Sequence, residues 1–346
     1  MTGRAMSQAG LDPFGGHRGR ARADREPECP LCGGQESRIF CRTRDFNWDL
    51  PGEFTYVACL CCGLVRLRPA PSEEKVPELY PPFYRASRVC GKDPDTGNSL
   101  PPFHFRAGIL EALKPPPASL FDIGCGDGLF LAFMHRRGWD VGGIEPDGGR
   151  VEYARRVLGL SGVHRASWPT DSITGIQADV VSFIHVLEHL WDPVTALDQA
   201  KRLMKPGALL VLETPNVNGW PLRLFGRHCV QMDAPRHLWL FTPAALRDCA
   251  KKAGYETVYS TTYGLATMDW TESLRYALVA AGLRSYGQKS LSRESRGEAG
   301  RAEHRKAAGI LLKGLHAAEK TLCRGMNRLS GWAGQGSNIL MVARKA

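Results

Sequence analysis

Four cysteines near the start of the chain have the spacing of a metal site. Cys29 and Cys32 form CPLC, and Cys59 and Cys62 lie at the two ends of CLCC. Two CxxC pairs can place four thiolates around one zinc ion, in a closed tetrahedral site that builds structure and leaves no position for a reactive water. Cys61 could replace either cysteine of the second pair. The alternative interpretation is four small buried cysteines without metal.

Three alternating glycines form the second chemical feature. They lie in SLFDIGCGDGLFLAF, between a strand-like and a helix-like run, as Gly124, Gly126 and Gly128. Small residues at such a turn let the backbone approach a ligand. Asp122 precedes the glycines, and its charge suits the cationic sulfonium of S-adenosylmethionine but would repel the pyrophosphate of a dinucleotide. The next strand ends at Glu145, in position to accept hydrogen bonds from a ribose. A purely structural turn is the alternative.

A polar segment, HVLEHLWDP, follows the predicted strand ADVVSFI. Ligands of open α/β sheets bind at the carboxyl ends of the strands, so this segment is expected to face the site. Glu188 and His189 are candidates for the base that deprotonates a methyl acceptor, because an ordinary histidine pKa of about 6.5 suits proton transfer. His237, in PRHLWLF, is a third catalytic candidate. The alternatives are packed histidines and a glutamate that caps a turn.

The order of the elements predicts the architecture. From residue 119, short apolar runs alternate with amphipathic stretches, which indicates parallel strands joined by helical crossovers. We predict a disordered leader at 1–27, a zinc ribbon at 28–70, a linker with short helices at 71–118 and an α/β domain at 119–346. A helical insertion at 265–335, with a mobile polar segment inside it, separates the last two strands of that domain.

The motifs resemble those of a known enzyme family. DIGCGDG is similar to the first motif of class I S-adenosylmethionine-dependent methyltransferases. VLEHLWDP, LKPGALLVLETPN and APRHLWLFTPAALRDCAKKAGYE resemble the ubiquinone-pathway O-methyltransferases, and the cysteine module followed by LYPPFY resembles sugar C-methyltransferases and cell-surface glycan methyltransferases. The resemblance implies a Rossmann-like, seven-stranded, mostly parallel sheet with helices on both faces, behind a small zinc ribbon.

The same resemblance implies a cofactor site for S-adenosylmethionine. The methionine end would lie against the loop, the ribose against the acid after the second strand, and the whole predicted set is Asp122, Gly124, Cys125, Gly126, Gly128, Glu145, Pro146 and His185. In the ubiquinone subgroup, a pair of acids and a histidine in the segment after the fourth strand are thought to hold a divalent cation. His185 occupies the first acid position here, which departs from that pattern.

The predicted activity is transfer of a methyl group to an oxygen or carbon of a small-molecule, sugar, glycan or quinone-like acceptor. An RNA methyltransferase that grips phosphates with its ribbon and basic tail is one alternative. It is disfavoured because HVLEHLWDP replaces the Asn/Asp-Pro-Pro-aromatic loop common in enzymes that methylate base nitrogens. The other alternative is a non-catalytic adaptor that binds the cofactor for regulation.

The charge is concentrated at one end of the chain. The net charge of the 346 residues is +10, and residues 284–346 hold 13 Lys and Arg against four Glu. Such a surplus is either a solvated face or a contact with anions, and residues 305–332 could lie on a membrane surface. Nucleic acid is not the expected partner, and the oligomeric state is not predicted. No signal peptide or apolar run of about 18 residues is present, so we expect a cytoplasmic protein, with peripheral membrane contact at most.

Overall fold

The computed structural model describes residues 28–80, 101–170, 172–264, 268–282 and 321–345. The leader at 1–27 and the polar part of the insertion lie outside these ranges. Eleven strands are present in the described ranges: β1 Ser37–Thr43, β2 Phe54–Cys59, β3 Val65–Arg68, β4 Ser119–Ile123, β5 Asp140–Glu145, β6 Val163–Arg165, β7 Ala178–Ile184, β8 Met204–Pro215, β9 Trp239–Leu240, β10 Tyr255–Tyr263 and β11 Asn338–Lys345. The helices are α1 Pro101–Leu113, α2 Leu129–His135, α3 Gly148–Arg156, α4 Pro193–Ala200, α5 Trp220–Phe225, α6 Pro243–Lys252, α7 Met268–Ala280 and α8 at 321–332.

Seven strands form one sheet in the order β10-β11-β8-β7-β4-β5-β6. The strands from β4 to β8 pair in parallel, whereas β11 pairs antiparallel with both β8 and β10. Parallel pairing requires crossover connections, and α2, α3 and α4 lie in three of them. The predicted seven-stranded, mostly parallel sheet is confirmed. Because β10 and β11 are neighbours, the insertion between them leaves and returns at one edge of the sheet.

Successive residues of the central strands point to opposite faces, and both faces are covered by helices. Leu120 and Val180 pack in one core with α1, α2 and α3. Phe121 and Val181 pack in the other core with α4 and α6. All four side chains are at most 3% exposed. Burial on both faces explains why SLFDI and ADVVSFI are nearly continuous apolar runs instead of alternating ones.

Helix α1 differs from the linker predicted at 71–118. Its Ala107 and Leu110 are buried in the core beneath the sheet. Its Arg106 donates two hydrogen bonds to the carboxylate of Glu213 near the end of β8, and this ion pair is also buried. Part of the predicted linker therefore belongs structurally to the sheet domain. The prolines on either side of the helix and its weak amphipathicity conceal this in the sequence.

The cysteine module is joined to the large domain through a second sheet, with the order β1-β2-β3-β9. Strand β9 comes from the large domain and pairs antiparallel with β3. The Tyr56 hydroxyl on β2 donates to the carbonyl of His237 at 2.7 Å, and Arg236 forms a fully buried ion pair with Asp45. The module thus holds the segment immediately before β9, which carries the candidate His237.

Helices α7 and α8 supply the described parts of the predicted helical insertion. Trp270 of α7 donates from Nε1 to Asn327 Oδ1 of α8 at 2.7 Å, so the two helices are fixed against each other. Within the described ranges, no helix combines the length and the apolar character that crossing a bilayer requires.

The buried Arg106–Glu213 pair provides a test of the α1 packing. Arg106→Ala leaves the Glu213 charge buried with fewer partners, and we expect the free energy of unfolding to fall by about 3–5 kcal/mol. The control is Arg137→Ala, which removes a partly exposed pair with Glu111 and should cost about 1 kcal/mol or less. Urea unfolding of the three proteins measures both. Equal, small losses would contradict the assignment of α1 to the core.

Candidate functional site

The four predicted metal-binding cysteines come together in the structure. Cys29 Sγ lies 3.7 Å from Cys62 Sγ, and Cys32 Sγ lies 3.6 Å from Cys59 Sγ. All four sulfurs lie within 4.8 Å of one another. Sulfurs about 2.3 Å from a tetrahedral zinc ion would be separated by roughly 3.8 Å, so the arrangement fits that ion. Cys61 is exposed and lies outside this group.

The glycine loop adopts a backbone that few other residues could adopt. Gly124, Gly126 and Gly128 have φ values of +72°, +59° and +78°, all in the left-handed region. A Cβ on Gly124 would lie only 2.5 Å from a methyl group of Val186, so the loop packs closely against the segment after β7. The amides of Gly124 and Cys125 both donate to the Ile144 carbonyl on β5. The loop is therefore held between the two segments that carry the other predicted site residues.

Glu145 supports the loop from the end of β5. Its Oε2 accepts the Gly126 amide and its Oε1 accepts the Asp147 amide, both at 3.0 Å. Burial raises the pKa of this carboxyl, which is 7% exposed. Each oxygen has a second lone pair, so the carboxylate can still accept ribose hydroxyls. Pro146 follows directly and is exposed.

Asp122 is enclosed at the end of β4. It is 3% exposed, and its Oδ1 accepts a hydrogen bond from the Ser182 hydroxyl at 2.6 Å. Burial raises its pKa to about 7, with Glu145 and Glu213 adding to the shift. The sequence predicted a full negative charge here. At neutral pH the carboxyl is instead poised between its two forms, and an arriving cation would favour the ionised one.

His185 joins two buried carboxylates. Its Nδ1 lies 3.3 Å from Glu188 Oε1, and its Nε2 lies 3.0 Å from Glu213 Oε1. Partial desolvation would lower the pKa of the ring, but the ion pairs with these two glutamates raise it to about 10. The imidazole is therefore a cation at neutral pH. It stabilises the glutamates that surround it, a function that the predicted cofactor-binding role did not include.

Glu188, His189 and His237 lie together, and one ligand atom from each falls within 4.8 Å of the others. Glu188 is completely buried, and within the described part of the chain no donor makes a well-aligned hydrogen bond to either of its carboxylate oxygens. The Nδ1 atoms of His189 and His237 contact the carbonyls of Arg236 and Gln231 at 3.1 and 2.9 Å. A carbonyl only accepts, so these contacts place a ring hydrogen on the Nδ1 of each histidine.

The charges of this cluster follow from burial and from its neighbours. Burial and the nearby His237 lower the pKa of His189 to about 4, so its ring is neutral at pH 7. Burial would raise the pKa of Glu188, but His185 outweighs this effect and lowers it, which keeps the carboxylate ionised. The cluster offers the anionic carboxylate of Glu188, the neutral ring of His189 and the imidazole of His237. Such groups can accept a proton or bind a divalent cation.

Sequence reasoning did not identify the residues that hold this cluster in place. Arg236 is buried and donates to Asp45 and Asp233, and the Tyr80 hydroxyl lies 3.1 Å from His189 Nδ1. Arg236 and Asp45 are 191 positions apart, so no local pattern connects them.

Asp122 yields a prediction for cofactor binding. If the ionised carboxyl favours S-adenosylmethionine, affinity should rise as the pH increases through about 7, because protons compete with the cofactor below that value. Asp122→Asn should weaken binding by about tenfold or more and remove this pH dependence. Isothermal titration from pH 6 to 8 measures both. Unchanged affinity in the variant would refute the role of the carboxyl.

The chain resembles known methyltransferases in sequence. Residues 103–260 match a family model described as a methyltransferase domain. The chain is 33% identical over 165 residues to a ubiquinone biosynthesis O-methyltransferase of Cereibacter sphaeroides, across 45% of this chain and 67% of that protein. The ubiquinone biosynthesis O-methyltransferase of Ruegeria pomeroyi is 32% identical, across 45% of this chain and 66% of that protein. A solved Burkholderia thailandensis 1,6-didemethyltoxoflavin-N1-methyltransferase is 14% identical, with a TM-score of 0.46 over 88% of this chain and 100% of that one. The chain belongs to the class I S-adenosylmethionine-dependent methyltransferases.

Proposed function

We propose that this methyltransferase acts on a hydroxyl oxygen of a small-molecule acceptor, and that Glu188, His189 and His237 receive that acceptor. The observation that carries the proposal is the buried carboxylate of Glu188, which lies beside the imidazoles of His189 and His237. Glu188 and His189 follow shortly after Val186, which contacts the glycine loop. A hydroxyl bound there would lie beside the proposed cofactor site.

In the proposed reaction, the acceptor oxygen attacks the methyl carbon as the bond from that carbon to sulfur breaks, and S-adenosylhomocysteine leaves. The hydroxyl proton passes to Nε2 of His189, which is free to accept it because Nδ1 already carries the other ring hydrogen. The anionic Glu188 stabilises the imidazolium that forms. Asp122, Glu145 and the glycine loop at 124–128 would bind the cofactor.

The cluster also fits the divalent cation that the ubiquinone subgroup implies. Glu188 supplies a buried oxygen without an aligned donor, and His189 and His237 supply nitrogen lone pairs whose rings are oriented by backbone carbonyls, as is usual for metal-binding histidines. His185 stands where that subgroup has an acid, so His237 would complete the set. When bound, such a cation would lower the pKa of an acceptor hydroxyl.

The preferred acceptor class is a phenol related to quinones, because the relatives described above are named ubiquinone biosynthesis O-methyltransferases. The test is release of S-adenosylhomocysteine from separate incubations with catechol-type phenols, nucleotide sugars and RNA. Turnover with the phenols supports the proposal. Turnover with RNA or nucleotide sugars alone would contradict it, and cofactor binding without turnover on any acceptor would favour the adaptor alternative.

The catalytic cluster yields a second prediction. Glu188→Gln keeps the shape of the side chain but removes its charge, and we expect kcat to fall by roughly 10²–10⁴-fold with little change in cofactor affinity. His189→Gln should behave similarly. His164→Gln is the control, because His164 is exposed on β6. If kcat for Glu188→Gln stays within a factor of two or so of the wild-type value, the cluster does not act in methyl transfer.

We further propose that Cys29, Cys32, Cys59 and Cys62 hold a structural zinc ion. The closed set of four sulfurs supports this proposal, and the ion would stabilise the module that anchors the His237 segment.

Cys32→Ser should lower both the zinc content and the midpoint of thermal unfolding, because it removes a ligand from a closed site. The neighbouring Cys61→Ser should change neither. Elemental analysis and calorimetry of the two variants provide the measurement. Loss of zinc from Cys61→Ser would show that Cys61 replaces a cysteine of the second pair, and retention of zinc by Cys32→Ser would contradict the proposed site.

A further inference from the structure

Helix α8 buries several polar side chains and exposes large apolar ones, which is the reverse of an ordinary surface helix. Its buried side chains include Cys323, Asn327 and Ser330. Its large apolar residues face outward: Leu322 is 66%, Leu329 57% and Trp332 90% exposed. Surface helices normally bury their apolar stripe. This helix therefore displays to the exterior the residues that would usually hold it in place.

A polar contact with α7 fixes this orientation. Asn327 Oδ1 accepts the Trp270 indole N–H at 2.7 Å. The backbone of Gly264 approaches so closely that a Cβ there would lie 2.7 Å from Asn327 Oδ1. Rolling the helix to bury its leucines would take this acceptor away from the buried indole of Trp270, which is costly. The packing of α8 against α7 therefore keeps its large apolar side chains exposed.

The outward residues form an ordered surface. At about 100° per residue, Leu322, Leu329 and Trp332 fall on one strip, and Arg324 and Arg328 lie along one side of it. Both arginines are exposed. Residues 321–346 contain no Asp or Glu, so the described part of α8 carries positive charge and no acid of its own. Leucine and tryptophan beside arginine are typical of helices that lie in a membrane interface.

We propose that the outward strip of α8, formed by Leu322, Leu329, Trp332, Arg324 and Arg328, binds the surface of an anionic phospholipid bilayer. The leucines and the indole enter the boundary between headgroups and acyl chains, and the two arginines meet the phosphates. This inference does not rest on the proposed acceptor, because it uses a helix outside the candidate site. The sequence predicts a membrane-surface contact at 305–332, and the strip identifies residues of that range that could form it.

A second copy of the chain fits the strip less well. Two-fold pairing of the strips would bring the arginines of both copies together, with no acid on this segment to meet them. The three apolar side chains also form a much smaller patch than the roughly 800 Å² that each partner buries in a stable interface. Charge and size both favour a bilayer, which supplies anionic groups without requiring a matching surface.

Flotation of the full chain with vesicles tests this proposal. The vesicles are phosphatidylcholine alone or an equal mixture of phosphatidylcholine and phosphatidylglycerol, at low and high salt. We expect binding only to the anionic vesicles and weaker binding at high salt. Leu329→Ser combined with Trp332→Ser should reduce the bound fraction by about tenfold or more. Val157→Ser is the control, because Val157 is an exposed apolar residue on another surface, 52% accessible.

Three results would contradict or reassign the proposed bilayer contact. No flotation with anionic vesicles, or flotation unchanged by the double variant, would refute the proposal. A dimer detected by analytical ultracentrifugation and abolished by the double variant would assign the strip to self-association. Binding of S-adenosylmethionine serves as the folding check, since the double variant should retain it. Failure of the proposed acceptor would leave these results unaffected.

Discussion

The structure depends on a carboxylate that the fold has removed from water. Glu188 is completely buried and ionised, a state that is costly unless opposite charge or polar groups surround it. His185 supplies the opposite charge from the same segment, and His237 comes from a distant loop to within 4.0 Å. Because Glu188 must remain charged in the interior, His185 and His237 have to lie close to it. A buried anion beside two imidazoles is suited to receive a proton or a cation.

The cysteine module helps to keep that arrangement in place. Its sheet accepts β9 as a fourth strand, its Tyr56 binds the His237 carbonyl, and its Asp45 pairs with Arg236 in the interior. A pair so completely buried tolerates little displacement, because moving either partner would leave a charge unsatisfied. The module therefore packs directly against the candidate acceptor site. The structure of its cysteine cluster should affect the position of His237.

Local features could be predicted from the sequence, and distant ones could not. The glycine loop and the two CxxC pairs were readable because their chemistry depends on spacing within a few residues. The seven-stranded sheet followed from the alternation of elements and from the family resemblance. Helix α1 was placed in a linker because prolines surround it, although Arg106 crosses to Glu213. The raised pKa of Asp122 depends on enclosure by the folded sheet, so a motif could not reveal it.

The most direct test of the account is a crystal structure of the protein with S-adenosylhomocysteine. We expect the methionine end on the glycine loop at 124–128, the ribose on Glu145, and the sulfur facing His189 Nε2 and Glu188 across a space for one acceptor oxygen. A sulfur that faces away from this cluster, with another set of polar groups opposite it, would contradict the assignment of the cluster to methyl transfer.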